Sequence, residues 1–305
     1  MPSKLLSVSD AIARHVRDAD TIAIGCALEP LIPFAAGHEI IRQQRRDLTL
    51  IGPISDILFD QLIGAGCVER VMAAWTGNVS AGLGHAYRRA AEQGVPRPIE
   101  IGDHSNFSIA LALHAAALGV PFIPAHTLLG TDIAASNPDL QTFPSPLDGR
   151  PLLLVPALAP DVAIINVQRA DVEGNAHAWG NLGVCQEAAL AARTVIIVAE
   201  EIVAPEVIRS DPNRVLVPGF RVAAVVHTPG GAHPSPVQGY YNRDHTFFHE
   251  YHQATRTHAG MAAWLDEWVY GLPDRAAYLA KLGEERWRGL APKRSLLAAP
   301  VDYGY

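Results

Sequence analysis

The sequence predicts an α/β fold: a largely parallel sheet covered by helices on both faces, with a helical C-terminal appendix. Three observations carry this. Short β-rich runs alternate with helical stretches over residues 1–243. The runs Val162 to Val167 and Thr194 to Ala199 are strongly apolar, as strands buried on both faces are. Over residues 244–305 the pattern turns to helices only, so the chain divides there into an α/β domain and an appendix.

The elements follow in order. Ser7 to Asp10 reads as a capping box opening a helix over Ala11 to Val16, and Thr21 to Gly25 as the first strand. A helix from Pro33 to Gln44 leads to a strand at Leu48 to Ile51. A helix over Asp56 to Ile63, closed by Gly64 or Gly66, precedes a strand over Val68 to Trp75. Leu83 to Gln93 is helical, Ile99 to Ile101 extended, Phe107 to Leu118 helical up to Gly119, and Val120 to Ile123 extended. Pro and Gly crowd Asn137 to Pro160, a long excursion. The runs at Val162 and Thr194 then flank a helix near Gln186 to Ala192, and Val222 to Val226 is the last strand. Met261 to Val269 and Ala276 to Leu282 are the clearest appendix helices, and the tail from Lys293 reads as irregular.

Composition narrows the function classes. The 305 residues are 49% hydrophobic, enough for a sizeable core, and the net charge is -7 without a basic run suited to a phosphate backbone, so nucleic acid is excluded as a partner. Phe107 to Thr131 carries no charged residue and is long enough to span a bilayer, but Gly119, Pro121 and Pro124 break it into a buried helix and strand. No membrane association is expected. Cys26, Cys67 and Cys185 are scattered, with no CxxC pair, which argues against a disulfide framework or a zinc site. Met1 to Asp10 lacks the order of a secretory signal, so the expected location is the cytoplasm.

In open α/β sheets ligands gather beyond the carboxyl ends of the strands, which directs attention to five loops. Gly25-Cys26-Ala27-Leu28-Glu29-Pro30 offers small residues whose backbone can approach a ligand, without GxGxxG or a P-loop Lys. Trp75-Thr76-Gly77-Asn78 is a glycine-spaced loop. Asp103-His104-Ser105-Asn106 stands before a helix, with Ser105 or Asn106 as N-cap. Gln168 to Asn175 ends in a turn that Asp171 is suited to fix, and Thr228 to Pro234 sets paired glycines between prolines, with His233 read as structural by default. There is no GxSxG elbow and no HExxH helix. His245, His249 and His252 have helical spacing and read as a solvated face ahead of a metal site.

Taken together, the loops resemble the alpha subunits of family I coenzyme A transferases, those acting on glutaconate most of all. Val167 to Asn175 is similar to the Q-x-A-D-x-x-G-N signature of that family. Val217 to Val222, running into Thr228 to Pro234, is similar to P-G-x-x-V followed by P-x-G-A-H-P. Ser105-Asn106, Leu118 to Phe122 and Leu129 to Asp132 complete the match, which covers about residues 5 to 285.

The resemblance implies a heteromeric assembly, commonly two alpha and two beta chains, with coenzyme A as a substrate and no permanently bound cofactor. It implies transfer of CoA from an acyl-CoA to a carboxylic acid through a glutamyl-CoA thioester. The glutamate is expected on a beta-type partner in a Ser-Glu-Asn-Gly context, which this chain lacks. Glu173, Glu200 and Glu201 each have a blander reading, so no catalytic residue is assigned here. The binding residues implied for this chain are Gly25, Cys26, Ala27, Gly77, Asn78, Ser105, Asn106, Gly230, Gly231, Ala232 and His233, with backbone N–H groups stabilising an oxyanion.

Two departures stand out. Many alpha subunits carry Arg in the first loop and at the position of His126, so the acid used here is expected to differ. A steroid ring-opening hydrolase shares the architecture and has a catalytic Glu where this chain has His104. The alternative reading is thus an acyl-CoA hydrolase or C–C ring-opening hydrolase with His104 as base.

Overall fold

The computed structural model describes residues 3–292, and the statements below concern those residues. The tail read as irregular, from Lys293, lies outside them. The first half runs β1 (Leu5–Leu6), α1 (Val8–His15), β2 (Thr21–Ile24), α2 (Phe34–Arg42), β3 (Leu48–Ile54), α3 (Asp56–Gly64), β4 (Val68–Trp75), β5 (Gly77–Asn78), β6 (Gly82–Leu83), α4 (His85–Gln93), β7 (Glu100–Asp103) and α5 (Asn106–Leu118). Then come β8 (Phe122–Ala125), α6 (Asp132–Ser136), β9 (Gln141–Pro144), β10 (Pro151–Pro156), β11 (Val162–Ala170), β12 (Ala176–His177), α7 (Cys185–Ala191), β13 (Thr194–Ile202), α8 (Pro205–Arg209), β14 (Val215–Val217) and β15 (Val222–His227). The described residues end with α9 (His245–Ala254), α10 (His258–Leu265), α11 (Arg275–Leu282) and α12 (Glu284–Gly289).

The main sheet has the order β1-β15-β13-β11-β2-β3-β4-β7, and every neighbouring pair along that path is parallel. From β2 the chain builds outward through β3, β4 and β7, then returns to lay β11, β13 and β15 on the other side. The order therefore reverses between β2 and β11, and their carboxyl ends flank a crevice.

Alternate residues of each central strand point to opposite faces. Ile22, Ile24, Leu50, Ile164 and Ile196 join α2 and α3 in one core, whereas Ala23, Ile51, Ala163, Ile165 and Ile197 join α5 and α7 in the other. Burial on both faces explains why these strands read as continuous apolar runs. The C-terminal helices share the first core through Phe247, Phe248, Tyr251, Trp264 and Val269. Contact is close: a Cβ added at Gly64 on α3 would meet Met261 Cγ on α10 at 2.7 Å.

Two expectations are corrected. The strand expected at Val120 to Ile123 lies at Phe122–Ala125 and leaves the parallel sheet for a three-stranded antiparallel one of order β8-β10-β9, to which the proline-rich excursion supplies β9 and β10. Pro124 and Pro144 sit on its two edge strands, where a missing N–H donor is tolerated. Glu200 and Glu201, expected after a strand, lie inside β13.

Candidate active site at the carboxyl edge of the sheet

The first loop leaves β2 at Gly25, whose φ of +71° suits glycine and whose added Cβ would lie 2.5 Å from Ser55 Oγ. That hydroxyl donates to the Ile24 carbonyl at 2.8 Å, tying the ends of β2 and β3 together. Cys26 and Ala27 are buried, and burial pushes the Cys26 thiol up to about 12, so it stays a neutral thiol. The first and fifth loops are bonded to each other. Leu31 N–H donates to the Pro236 carbonyl at 3.0 Å, Ala35 N–H to that of Gly231 at 2.9 Å, and the Ser235 hydroxyl to that of Glu29.

The fifth loop, after β15, is buried from Gly230 to Ser235, and its amides have internal partners. Gly230 N–H donates to Glu200 Oε2 at 2.6 Å, Gly231 to the Thr228 carbonyl at 2.9 Å, Ala232 to the Tyr241 hydroxyl at 3.0 Å and His233 to the Gly230 carbonyl at 3.1 Å. In this arrangement Gly230, Gly231, Ala232 and His233 shape the edge without offering a free N–H to an oxyanion. Tyr241 OH donates to Glu200 Oε1 at 2.6 Å, so one buried carboxylate clamps the loop from two sides. Burial raises the Glu200 pKa, opposed by these donors.

His233 is fully buried, and burial lowers its pKa to about 4. A neutral imidazole fits its partners: Nε2 donates to Asp244 at 3.1 Å and Nδ1 accepts from Tyr278 OH at 2.9 Å. Burial alone would raise Asp244, but hydrogen bonds from His233, Arg286 and Phe247 N–H hold it well below the usual carboxylate range. Arg275 donates to the carbonyls of Gly230 at 2.8 Å and His233 at 2.5 Å. The C-terminal helices thus fix the loop and hold His233 inside a buried hydrogen-bond network.

Gly77 and Asn78 pair with Gly82 and Leu83 in a two-stranded tip after β4. Asn78 is buried, donating to the Phe248 carbonyl at 2.7 Å and accepting from Ser80 N–H at 3.0 Å. Beside the tip is an ion pair that the motifs gave no sign of. Arg243 reaches Asp56 at 2.6 Å and Ser80 Oγ at 3.1 Å, and its guanidinium lies 3.7 Å from the centre of the Phe248 ring. Asp56 is fully buried, and burial lifts its pKa to about 6 against the pull of Arg243. The pair joins residues 187 apart in sequence, beyond the reach of local patterning.

In the third loop Ser105 is the N-cap of α5 in a full capping box: its Oγ accepts from Ser108 N–H at 3.0 Å, and Ser108 Oγ accepts from Ser105 N–H at 2.9 Å. Asn106 is exposed in the first turn. His104 is only 2% exposed, with Nδ1 3.1 Å from Ser108 Oγ and Nε2 3.4 Å from Asn137 Nδ2. Burial lowers its pKa to about 4. A base so weak and so enclosed is poorly placed for proton abstraction near neutral pH.

The fourth loop is a scaffold. Asp171 accepts from Glu173 N–H, Asn175 N–H and Asn175 Nδ2 at 2.9, 3.0 and 2.8 Å, and Asn175 Oδ1 accepts from Gly219 N–H at 2.9 Å. The glutamates are engaged too: Glu173 faces Arg209 at 3.7 Å, Glu201 accepts from Tyr240 OH at 2.8 Å, and Glu200 holds the fifth loop. Among the described residues no His, Cys, Asp and Glu cluster is arranged to hold a metal ion, and no helix is long and apolar enough to cross a membrane.

A parallel sheet whose carboxyl-edge loops carry these motifs defines a class, and comparison confirms it. Residues 5–228 match the coenzyme A transferase family model, and the chain belongs to that family. It is 40% identical to one of the subunits of the 3-oxoadipate CoA-transferase of Pseudomonas knackmussii, over 92% of this chain and 99% of that one. It is 34% identical to the corresponding subunit of the glutaconate CoA-transferase of Acidaminococcus fermentans, covering 93% of each. The solved glutaconate coenzyme A-transferase from that organism superimposes with a TM-score of 0.88, covering 94% of this chain and 95% of that one at 33% identity. One of the subunits of the cholesterol ring-cleaving hydrolase of Mycobacterium tuberculosis is 31% identical over 89% of this chain and 94% of its own. The chain is a CoA-transferase subunit of the alpha type.

Proposed function

We propose that this chain shapes the acyl-CoA site at the carboxyl edge and that a beta-type partner supplies the attacking glutamate. One observation carries the division of labour: Glu173, Glu200 and Glu201 are each paired or hydrogen-bonded within the chain, and Glu29 of the first loop lies 3.8 Å from Arg243. The relatives, each named as one of the subunits of its enzyme, support a second chain.

In the reaction the partner's carboxylate attacks the thioester carbonyl, CoA leaves as its thiolate, and an acyl-glutamyl anhydride forms. The thiolate then attacks the glutamyl carbonyl, releasing the first acid and leaving a glutamyl-CoA thioester. The acceptor carboxylate runs these two steps in reverse. This chain's part is to hold the reacting groups in register. Of the residues implied as binding, Gly25, Cys26, Ala27, Gly77, Asn78, Ser105 and Asn106 stand on the loops that follow β2, β4 and β7 and are the ones proposed to line the site, while Gly230 to His233 belong to the loop bonded to the first of these. CoA is a substrate that enters and leaves, and the assembly works in the cytoplasm.

The test is CoA exchange between an acyl-CoA and a carboxylate, measured for this chain, the beta-type chain and their mixture. Turnover by the mixture alone is expected. Full activity from this chain alone contradicts the reading.

A further inference from the structure

The ion pair between Asp56 and Arg243 stands where the ends of β2, β3 and β4 come together. Asp56 opens α3 directly after β3, and its side chain and that of Arg243 are 0% and 8% exposed. The Arg243 fork divides its donors among the loops. Nη2 donates to Asp56 Oδ2 at 2.6 Å and to Ser80 Oγ at 3.1 Å on the tip after β4, and Nη1 lies 3.8 Å from Glu29 of the first loop. Asp56 Oδ1 accepts from Val79 N–H at 3.1 Å, so this carboxylate holds the tip as well. Phe248 offers its ring to the guanidinium and its carbonyl to Asn78 Nδ2 at 2.7 Å. One residue before Asp56, Ser55 Oγ donates to the Ile24 carbonyl where the first loop leaves β2.

As a source of stability this corner is poor. Two charges are taken out of water, and a buried ion pair is often no more stable than well-packed apolar residues of similar volume. Asp56 also sits at φ +46°, and Leu28 and Leu31, on either side of Glu29, at +76° and +56°, left-handed values that residues with a Cβ seldom adopt. What the pair does supply is fixed geometry. A planar fork engaged on three sides admits one spacing between the first loop and the tip, which a flexible ammonium or an apolar contact would leave loose.

We infer that Asp56 and Arg243 are positioning residues for CoA transfer: they set the distance and angle between the first loop and the tip after β4, and so the register of the groups that react beside them. This rests on the proposal that these two loops line the site. Misplacement by about 1 Å can slow a reaction about a hundredfold, and the loss falls on kcat where the substrates are still held.

The experiment uses this chain with its beta-type partner. CoA transfer is measured from acetyl-CoA and succinyl-CoA to acetate and to 3-oxoadipate and glutaconate, the acids for which its relatives are named, and the fastest pair is kept for the variants. Arg243→Lys keeps the charge but cannot bridge Asp56 and Ser80 together, and kcat should fall about tenfold. The double variant Asp56→Asn, Arg243→Gln leaves no unpaired charge and should lose about a hundredfold in kcat, with each KM within about threefold of wild type and the thermal midpoint within about 5 °C. Ser80→Ala keeps the ion pair and removes one tie to the tip, so a folded protein with kcat lower by about threefold or more is expected even where the other variants fail to fold. A kcat within about twofold of wild type in the folded variants, or a rise in KM alone, overturns the inference and leaves the transferase reading intact. Absence of transfer by the wild-type complex with every pair removes the transferase reading and the inference with it.

Discussion

At the scale of single residues, histidines separate structure from chemistry. His104→Ala removes a group closed off at both ring nitrogens, so kcat/KM of the complex should stay within about threefold while stability falls by about 1–3 kcal/mol, read by steady-state kinetics and denaturant titration. Loss of activity beyond a hundredfold in a folded variant would revive the hydrolase reading. His233 predicts a pH effect. Its pKa near 4 in the folded chain lies below the ordinary 6.5, so between those values the unfolded chain binds more protons. The stability it contributes is complete above about 6.5 and is lost as pH falls toward 4. In His233→Gln the stability–pH slope in that window should be shallower by about one proton, and an unchanged slope contradicts the assignment. A lone loop histidine reads as structural by default, but the partners of His233, Asp244 and Tyr278, stand in no motif and were not legible. The Asp56–Arg243 pair was not legible, because neither residue stands in a motif and only the fold brings them together.

At the scale of elements, strands buried on both faces announced themselves because no solvent-facing polar residue interrupts them, and a cap before α5 was readable, though the choice between Ser105 and Asn106 came only with the structure. The β8-β10-β9 sheet was obscured: its edge strands are short and carry prolines, so the segment reads as an excursion. The loops were found in sequence, but the use of their amides was not, since Gly230 and Ala232 find partners on β13 and beyond the loop. Two measurements belong here. Ser105→Ala should cost about 1 kcal/mol of stability by denaturant titration, the usual worth of a cap, and no change contradicts the box. Gly25→Ala forces a side chain into a left-handed turn against Ser55 and should cost at least about 1 kcal/mol; a neutral result means the β2–β3 junction is looser than described.

At the scale of the whole molecule, the C-terminal helices are part of the support for the site. Phe247, Phe248, Tyr251 and Trp264 fill the core shared with α2 and α3, while Arg275, Tyr278 and Arg286 hold the fifth loop and its histidine network. A chain ending at Arg243 should therefore fail to fold, seen as loss of a cooperative thermal transition; a folded product would mark residues 1–243 as self-sufficient. The same scale bears on catalysis, because a sheet edge whose candidate glutamates are all occupied needs a carboxylate from elsewhere. The most direct test is to incubate the two-chain complex with acyl-CoA, trap the glutamyl-CoA thioester by borohydride reduction and map the modified glutamate by mass spectrometry. The division of labour predicts the reduced residue in the beta-type chain; modification of Glu29, Glu173, Glu200 or Glu201 would contradict it.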